Sequence, residues 1–434
     1  MMAGDRPDKL LISGGRVVDP ATGTDAVLDV LIADGAVAAI DGGISADGAN
    51  RIDAAGKIVC PGLIDMHVHL REPGGEHKET VRTGTRAAVA GGFTTVCCRP
   101  NTDPPLDCLR IVEDLQQRID ADAACRVHVI GAATVGNEGE ALTDYAGLKR
   151  AGCVAVSDDA FPIQSAELMQ QALAQCAEAD LPFIAHCELK DSPTEPAWRA
   201  EADSIQQWCR AAMAVVLRTG LRPRLHIAHL STAEGQKHIR EAKHSGAARI
   251  TAETAPHYWL LTKDALDQLG PDAKMNPPLR EAADVEATKR ALADGAIDVI
   301  ATDHAPHAAE EKAAGVDAAP FGVVGLETAV GLVLTGLVEP GVLSVADAIA
   351  RMTIGPAEAL GLPRGRLAVG EPADVTIIDP EAQGAVDPAK FESKARSMPF
   401  AGWELHGAPF ATIVGGEVRM LAGRVEDVAA APLA

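Results

Sequence analysis

His67 and His69 stand two residues apart, just after the apolar run Ile58-Val59-Cys60-Pro61-Gly62-Leu63-Ile64. Such a run reads as a strand buried on both faces. Alternate residues of a strand share a face, so the two imidazoles start ~6–7 Å apart and point the same way. Two neutral imidazoles so placed can close on one divalent ion at roughly 2.0–2.1 Å. Arg71 continues the same face and sets a fixed positive charge beside it. Further along come Asp158-Asp159, His186, His226 with His229, and Asp303 with His304 and His307. These supply enough ligands for two zinc ions sharing a carboxylate, with a position left for water, which is the chemistry of a hydrolytic centre.

Within that set some choices stay open. Asp158 and Asp159 face opposite sides of a strand, and spacing does not say which points inward. His226 and His229 also face opposite ways, and His229, nearer the strand's carboxyl end, is the better ligand. A carboxylate beside an activated water can take its proton and return it to a leaving nitrogen, and Asp303 is read as that base. Arg71, Asn101 and Asn276 have the donors to hold a carboxylate and a ring amide, and His307 sits far enough into its loop to reach a substrate. The remaining histidines, among them His128 and His257, have no comparable context and are read as structural.

These residues need a frame that gathers distant segments. From Lys57 to about Gly355, eight apolar runs (58–70, 92–101, 125–134, 153–159, 182–188, 224–231, 249–258 and 297–307) alternate with amphipathic stretches. Helices are expected over Thr80–Ala90, Leu109–Ala121, Ser165–Ala179, Ala233–Lys243 and Ala282–Ala293, with Ser165 as an N-cap and left-handed caps at Gly91 and Gly295. Eightfold strand–helix alternation is the pattern of a (β/α)8 TIM barrel. The polar residues cluster at one end of six of the runs, where such barrels carry their catalytic groups. Residues 1–56 and 359–434 are instead rich in short strands and turns. They are expected to pair into one small β-sandwich beside a barrel spanning 57–358.

Net charge is −22, from 39 basic and 61 acidic residues. That disfavours nucleic acid and acidic membranes as partners, so an anionic substrate needs positive charge concentrated locally. Nine cysteines without a CxxC pair, and no long apolar run or signal pattern, suggest reduced thiols in a cytoplasmic protein.

The segments DMHVHLREPGGEHKET (65–80), RPNTDPPLD (99–107), AHCE (185–188), HIAHLST (226–232), TAETAPHY (251–258), KMNPPLR (274–280), ATDHAPH (301–307), GVVGLET (322–328) and PADVTIIDP (372–380) together resemble bacterial dihydroorotases of the longer, type I form, in the amidohydrolase superfamily. The resemblance spans nearly the whole chain. It implies zinc-dependent, reversible cyclisation of N-carbamoyl-L-aspartate to dihydroorotate and water, the third step of pyrimidine synthesis. In the hydrolytic direction, metal-bound hydroxide attacks the ring carbonyl and Asp303 shuttles the proton. It also implies His67, His69 and Asp303 on one zinc, His186 and His229 on the other, and Asp159 rather than Asp158 as the bridge. Substrate contacts would fall on His69, Arg71, Asn101, Asn276, His307 and the Phe321-Gly322 loop. A homodimer and association with aspartate carbamoyltransferase are the assemblies it suggests. The chain departs from its relatives in having no lysine between Lys149 and Lys190 to bridge two metals, Ala160 after the aspartate pair, and Arg99 where methionine is common. Rival readings are a hydantoinase- or allantoinase-like hydrolase, and an inactive scaffold for the transferase.

Overall fold

The computed structural model describes residues 9–190, 196 and 198–426. Among these, eight parallel strands follow one another in space in chain order: Leu63–Val68, Phe93–Cys98, Arg126–Ala132, Ala155–Ser157, Pro182–Ala185, Arg224–Ile227, Arg249–Thr254 and Val299–Ile300. They are called strands one to eight below. Strand eight returns to strand one through a parallel bridge between Val68 and His304, where His69 N donates to His304 O at 2.8 Å. That contact closes the sheet into a barrel.

All eight strands lie inside the expected runs, and all stop short at the carboxyl end. For strands six and eight the reason is local. His229 and Asp303, which follow strands six and eight, sit at φ 33° and 52°, and Arg71 at φ 63°. Side-chain-bearing residues in this left-handed region leave the ladder, at a cost of roughly 1–3 kcal/mol each that the surrounding structure must offset.

Inside the barrel, Met66, Cys97, Ile130, Ala155, Ile184, Ala228 and Val299 form a small apolar cluster with Ala359 and Leu360. A much larger cluster packs helices against the outside of the strands. It includes Val89 and Ala88 from helix Val81–Ala90, Val112 and Leu115 from Leu109–Asp122, Leu173 from Ala166–Ala179 and Ile239 from Ala233–Ser245. Ser165 caps its helix as expected, accepting from Leu168 N at 3.3 Å. Of the two glycine caps, Gly295 is left-handed at φ 80°, whereas Gly91 is not, at φ −79°. Gly91 is required for another reason: a Cβ there would lie 2.1 Å from the Leu326 carbonyl oxygen.

The flanks form a separate nine-stranded sheet. It joins Lys9–Asp19, Thr24–Ala33, Ala36–Asp41 and Asn50–Asp53 to Val375–Ala385, Glu404–Val414, Glu417–Leu421 and Arg424–Val425. Ile58–Pro61 is its ninth strand, pairing Val59 with Ile377. The expected strand 58–70 is therefore two strands, divided at Gly62, where a Cβ would meet the Thr94 side chain at 2.1 Å. Ile12, Val30, Ile32, Val59, Val375, Ile377, Ala411 and Ile413 fill the core of this sheet.

Asp374 ties the two parts together. It accepts from Arg126 Nε and Arg364 NH1, both at 2.9 Å, and from Gly415 N at 2.8 Å. Beside these arginines, burial and then the charges of Arg364 and Arg126 push His128 down to about 4. A histidine depressed in the folded state stabilises it above its unfolded value near 6.5, and that contribution is lost as pH falls toward 4. His128→Gln should therefore gain thermal stability relative to the parent between pH 6.5 and 4. Paired melting curves at pH 7.5 and 4.5 measure this; an equal difference at both pH values would contradict it.

Candidate metal centre and active site

The rim at the carboxyl ends of the strands is built from beneath by buried acids. Asp65, in strand one, accepts from His67 N at 3.0 Å and grips Thr302 through its backbone N–H and hydroxyl. This fixes His67 relative to Asp303, one residue beyond Thr302. Asp158 accepts from His186 N at 2.8 Å and Ile163 N at 2.9 Å, binding the end of strand five to that of strand four. Asp158 is thus consumed as a brace, and Asp159 turns into the site. Burial pushes both Asp65 and Asp158 up to about 7, against the hydrogen bonds they accept.

Six buried side chains from five strand ends meet above this layer. His67 Nε2 lies 3.2 Å from Asp303 Oδ1 and 3.7 Å from Asp159 Oδ2. His69 Nε2 lies 3.6 Å from each of the same two carboxylates. His186 Nδ1 is 3.1 Å from Asp159 Oδ1 and 2.9 Å from His229 Nε2. Asp159 therefore touches three of the four histidines. Two triads have their ligand atoms within 4.8 Å of one another: His67, His69, Asp303 and His67, Asp159, His229. The second triad uses His67 where the sequence expectation had His186.

The electrostatics are those of a site built for a cation. Burial alone would raise Asp303, but His67, the hydrogen bond from His69, and His229 hold it below the ordinary carboxylate range. Asp159 is held low in the same way, by His186 and His67 above all. Burial and Arg99 oppose a charge on His67, yet Asp303, Glu253 and Asp159 raise it to about 9. His229, by contrast, is pushed down to about 3 by burial and the neighbouring imidazoles. His67 Nε2 and Asp159 Oδ2 are buried without a hydrogen-bond partner. Buried polar atoms are rarely left so, and a divalent cation is the partner that this set of imidazole and carboxylate donors fits.

The expected substrate residues gather at the mouth. Arg71 Nε donates to Pro306 O at 3.0 Å, and its NH2 lies 3.2 Å from His307 Nε2. His307 Nε2 in turn donates to Phe321 O at 2.7 Å. Gly322, at φ 128°, admits no side chain, because a Cβ would lie 2.7 Å from both Ala305 Cβ and its carbonyl oxygen. Asn276 Nδ2 reaches Glu188 Oε2 at 3.2 Å and His186 Nε2 at 3.4 Å. Asn101 stands under His69, its Oδ1 accepting from Nδ1 at 2.8 Å, which aims Nε2 at the two aspartates.

Several contributors escape a reading by strand-end position. Glu253 and Arg99 are buried beneath His67, and His226 supports Glu253 at 3.2 Å. His257 is buried with Nε2 unpaired, close enough to Asp303 and His67 to feel their charges, and burial pushes it down to about 4. Glu201 accepts from Ser231 N and Thr232 N at 2.9 and 3.0 Å and pairs with Arg280 at 3.0 Å. It braces the loop after His229 against the one carrying Asn276. Glu188, beside His186 in AHCE, and Arg99, which opens RPNTDPPLD, were the ones that carried a local signal.

A parallel barrel with a rim of four histidines and two aspartates defines a hydrolase scaffold able to hold metal. A family model described as Dihydro-orotase-like matches residues 56–199. The chain is 48% identical to a dihydroorotase of Pelotomaculum thermopropionicum over 95% of its own length and 98% of the relative's. It is 47% identical to a dihydroorotase of Syntrophotalea carbinolica, covering 94% and 98%. Among solved structures, an L-hydantoinase from Arthrobacter aurescens superposes with a TM-score of 0.86 at 27% identity, covering 96% and 97%. The chain belongs to the dihydroorotase family, and it is an enzyme of the cyclic-amide hydrolase kind. No helix among the described residues is long and apolar enough to cross a membrane.

Removing the Glu201 carboxylate strands the buried Arg280 charge and two backbone donors. Glu201→Ala should lower stability by about 3–5 kcal/mol, measured by urea unfolding. A loss under 1 kcal/mol would show that the brace is dispensable.

Proposed function

We propose that the protein interconverts N-carbamoyl-L-aspartate and (S)-dihydroorotate plus water, in pyrimidine synthesis in the cytoplasm, with zinc held at two positions on the barrel rim. The observation that carries this reading is the convergence of six buried imidazole and carboxylate groups, with His67 Nε2 and Asp159 Oδ2 left unpartnered. His67, His69 and Asp303 would hold one zinc, and His186 and His229 the other. Asp159, which contacts residues of both sets, would bridge them in place of a lysine. Zinc bound there supplies Lewis acidity toward the ring carbonyl and toward water.

The chain's own groups do the rest. In the hydrolytic direction a water oxygen adds to the ring carbonyl carbon and the carbon–nitrogen bond breaks. The Asp303 carboxylate takes the water's proton and delivers it to the departing ring nitrogen, and the reverse sequence closes the ring. The neighbouring histidines keep Asp303 ionised, the form in which a carboxylate can take a proton. Arg71, with the free amide nitrogen of Asn101, would bind the substrate carboxylate, which is how a chain of net charge −22 attracts an anion. Asn276, His69 and His307 would contact the ring, with exposed Phe321 and buried Gly322 alongside. Residues 57–358 are read as the catalytic barrel, with 1–56 and 359–434 as the two parts of the accessory unit. A homodimer, and an aspartate carbamoyltransferase partner, are the assemblies this family membership suggests; gel filtration alone and with the transferase tests both.

Dihydroorotate hydrolysis should require zinc, vanish on chelation and return on readdition. Asp303→Asn should keep the fold and lower kcat by about 10²–10⁴. Equal rates in the two proteins would refute the base assignment, and faster turnover of hydantoin than of dihydroorotate would favour a hydantoinase reading. Arg71→Met should weaken kcat/KM for dihydroorotate roughly 10–100-fold, the size of one lost charge-assisted contact. It should leave hydantoin, which has no carboxylate, little changed; equal losses on both substrates would take Arg71 out of carboxylate binding.

A further inference from the structure

Arg99 is completely enclosed at the end of strand two, with 1% of its surface exposed. A guanidinium stays charged in any protein environment, and burying one is costly unless it is paired and hydrogen-bonded. Its NH2 group donates to Glu253 Oε1 at 3.0 Å and its NH1 to Ser157 Oγ at 3.3 Å. Its Nε, which has no hydrogen-bond partner, lies 4.0 Å from Asp159 Oδ2. The guanidinium therefore spans the gap between an acid beneath the site and an acid within it.

Glu253 is the other half of the device. Its Oε1 meets His67 Nδ1, and its Oε2 lies 3.2 Å from His226 Nε2, while His226 Nδ1 is 2.8 Å from Thr251 Oγ1. A carboxylate can only accept, so the Oε1 contact is satisfied when Nδ1 of His67 carries the proton. In the neutral ring, the form that ligates a metal, Nε2, the atom facing Asp303 and Asp159, then offers its lone pair. Arg99 NH2 lies 2.6 Å from the same Nδ1. As a second donor it gains nothing from that nitrogen, and both converge on Glu253 Oε1. The oxygen is thereby held in one place by a donor whose charge never varies.

We propose that Arg99 is a positioning residue which, through Glu253, fixes the tautomer and ring orientation of His67 and so sets the affinity of the candidate metal centre. The inference rests on the metal-binding reading given above. Outer partners of metal-ligating histidines are typically worth 10–100-fold in affinity. Met matches the apolar bulk of Arg without its charge, and Lys keeps the charge but cannot make both the Glu253 and Ser157 contacts.

The test is zinc affinity by competition with a chromophoric chelator, and the visible absorption bands of the cobalt-substituted protein, in wild type, Arg99→Met, Arg99→Lys and Glu253→Gln. Arg99→Met and Glu253→Gln should each weaken zinc binding about 10–100-fold and alter the cobalt bands, with Arg99→Lys between them and wild type. Wild type that binds no zinc would sink the metal reading itself. Wild type that binds zinc, with Arg99→Met within twofold of it and an unchanged cobalt spectrum, would overturn this inference alone, whatever happens to the melting temperature. If Arg99→Met does not fold, Arg99→Lys decides: severalfold weaker zinc binding supports the inference and equal binding overturns it.

Discussion

The site depends on how strand eight meets strand one. These two segments are more than 230 residues apart in the chain, and the ladder between them is short: a bridge from Val68 to His304, one hydrogen bond from His69 N, and the hold of Asp65 on Thr302. Every one of these contacts lies next to a residue of the candidate metal centre. Closing the barrel and bringing Asp303 to His67 and His69 are therefore one physical event. A parallel sheet must satisfy its edges by closure or by burial, and here the last pairing needed for closure also builds the centre.

Several acids are buried around the rim. Asp65, Asp158, Glu201 and Glu253 are all enclosed, and each is matched by donors: backbone N–H groups for Asp65, Asp158 and Glu201, imidazoles and a guanidinium for Glu253. Such acids raise no unpaired charge, and each immobilises a loop or ring that reaches the rim. The ligand layer above them is the reverse case, with donors and acceptors left incomplete at His67 Nε2 and Asp159 Oδ2. Rigidity below and unsatisfied atoms above are what preorganised metal chemistry asks of a protein.

The fold does not choose among cyclic amides, since a hydantoinase shares it at a TM-score of 0.86. On the proposed reading, discrimination would belong to the mouth. Arg71, held by Pro306 O and adjacent to His307, would put a cation where a ring bearing a carboxylate has something to gain and an uncharged ring does not. The much closer sequence likeness to dihydroorotases, at 48% and 47% identity, agrees with that chemistry.

The sequence by itself determined the order of the eight barrel strands, five of the helices between them, and which strand ends carry imidazoles and acids. These follow from local rules: apolar runs mark strands buried on two faces, and caps such as Ser165 mark helix starts. It could not divide 58–70 into two strands, because Ile58–Pro61 finds its partner at Val375–Ile378, more than 300 residues away. Nor could spacing choose between Asp158 and Asp159. The tertiary structure decided that by giving Asp158 two backbone donors, at His186 and Ile163, and leaving Asp159 to the histidines. Glu253 and Glu201 were invisible for the same reason, and Arg99 showed only as a departure with no role attached. Their roles lie in pairings across the barrel, and alternation along one strand carries no information about what stands opposite.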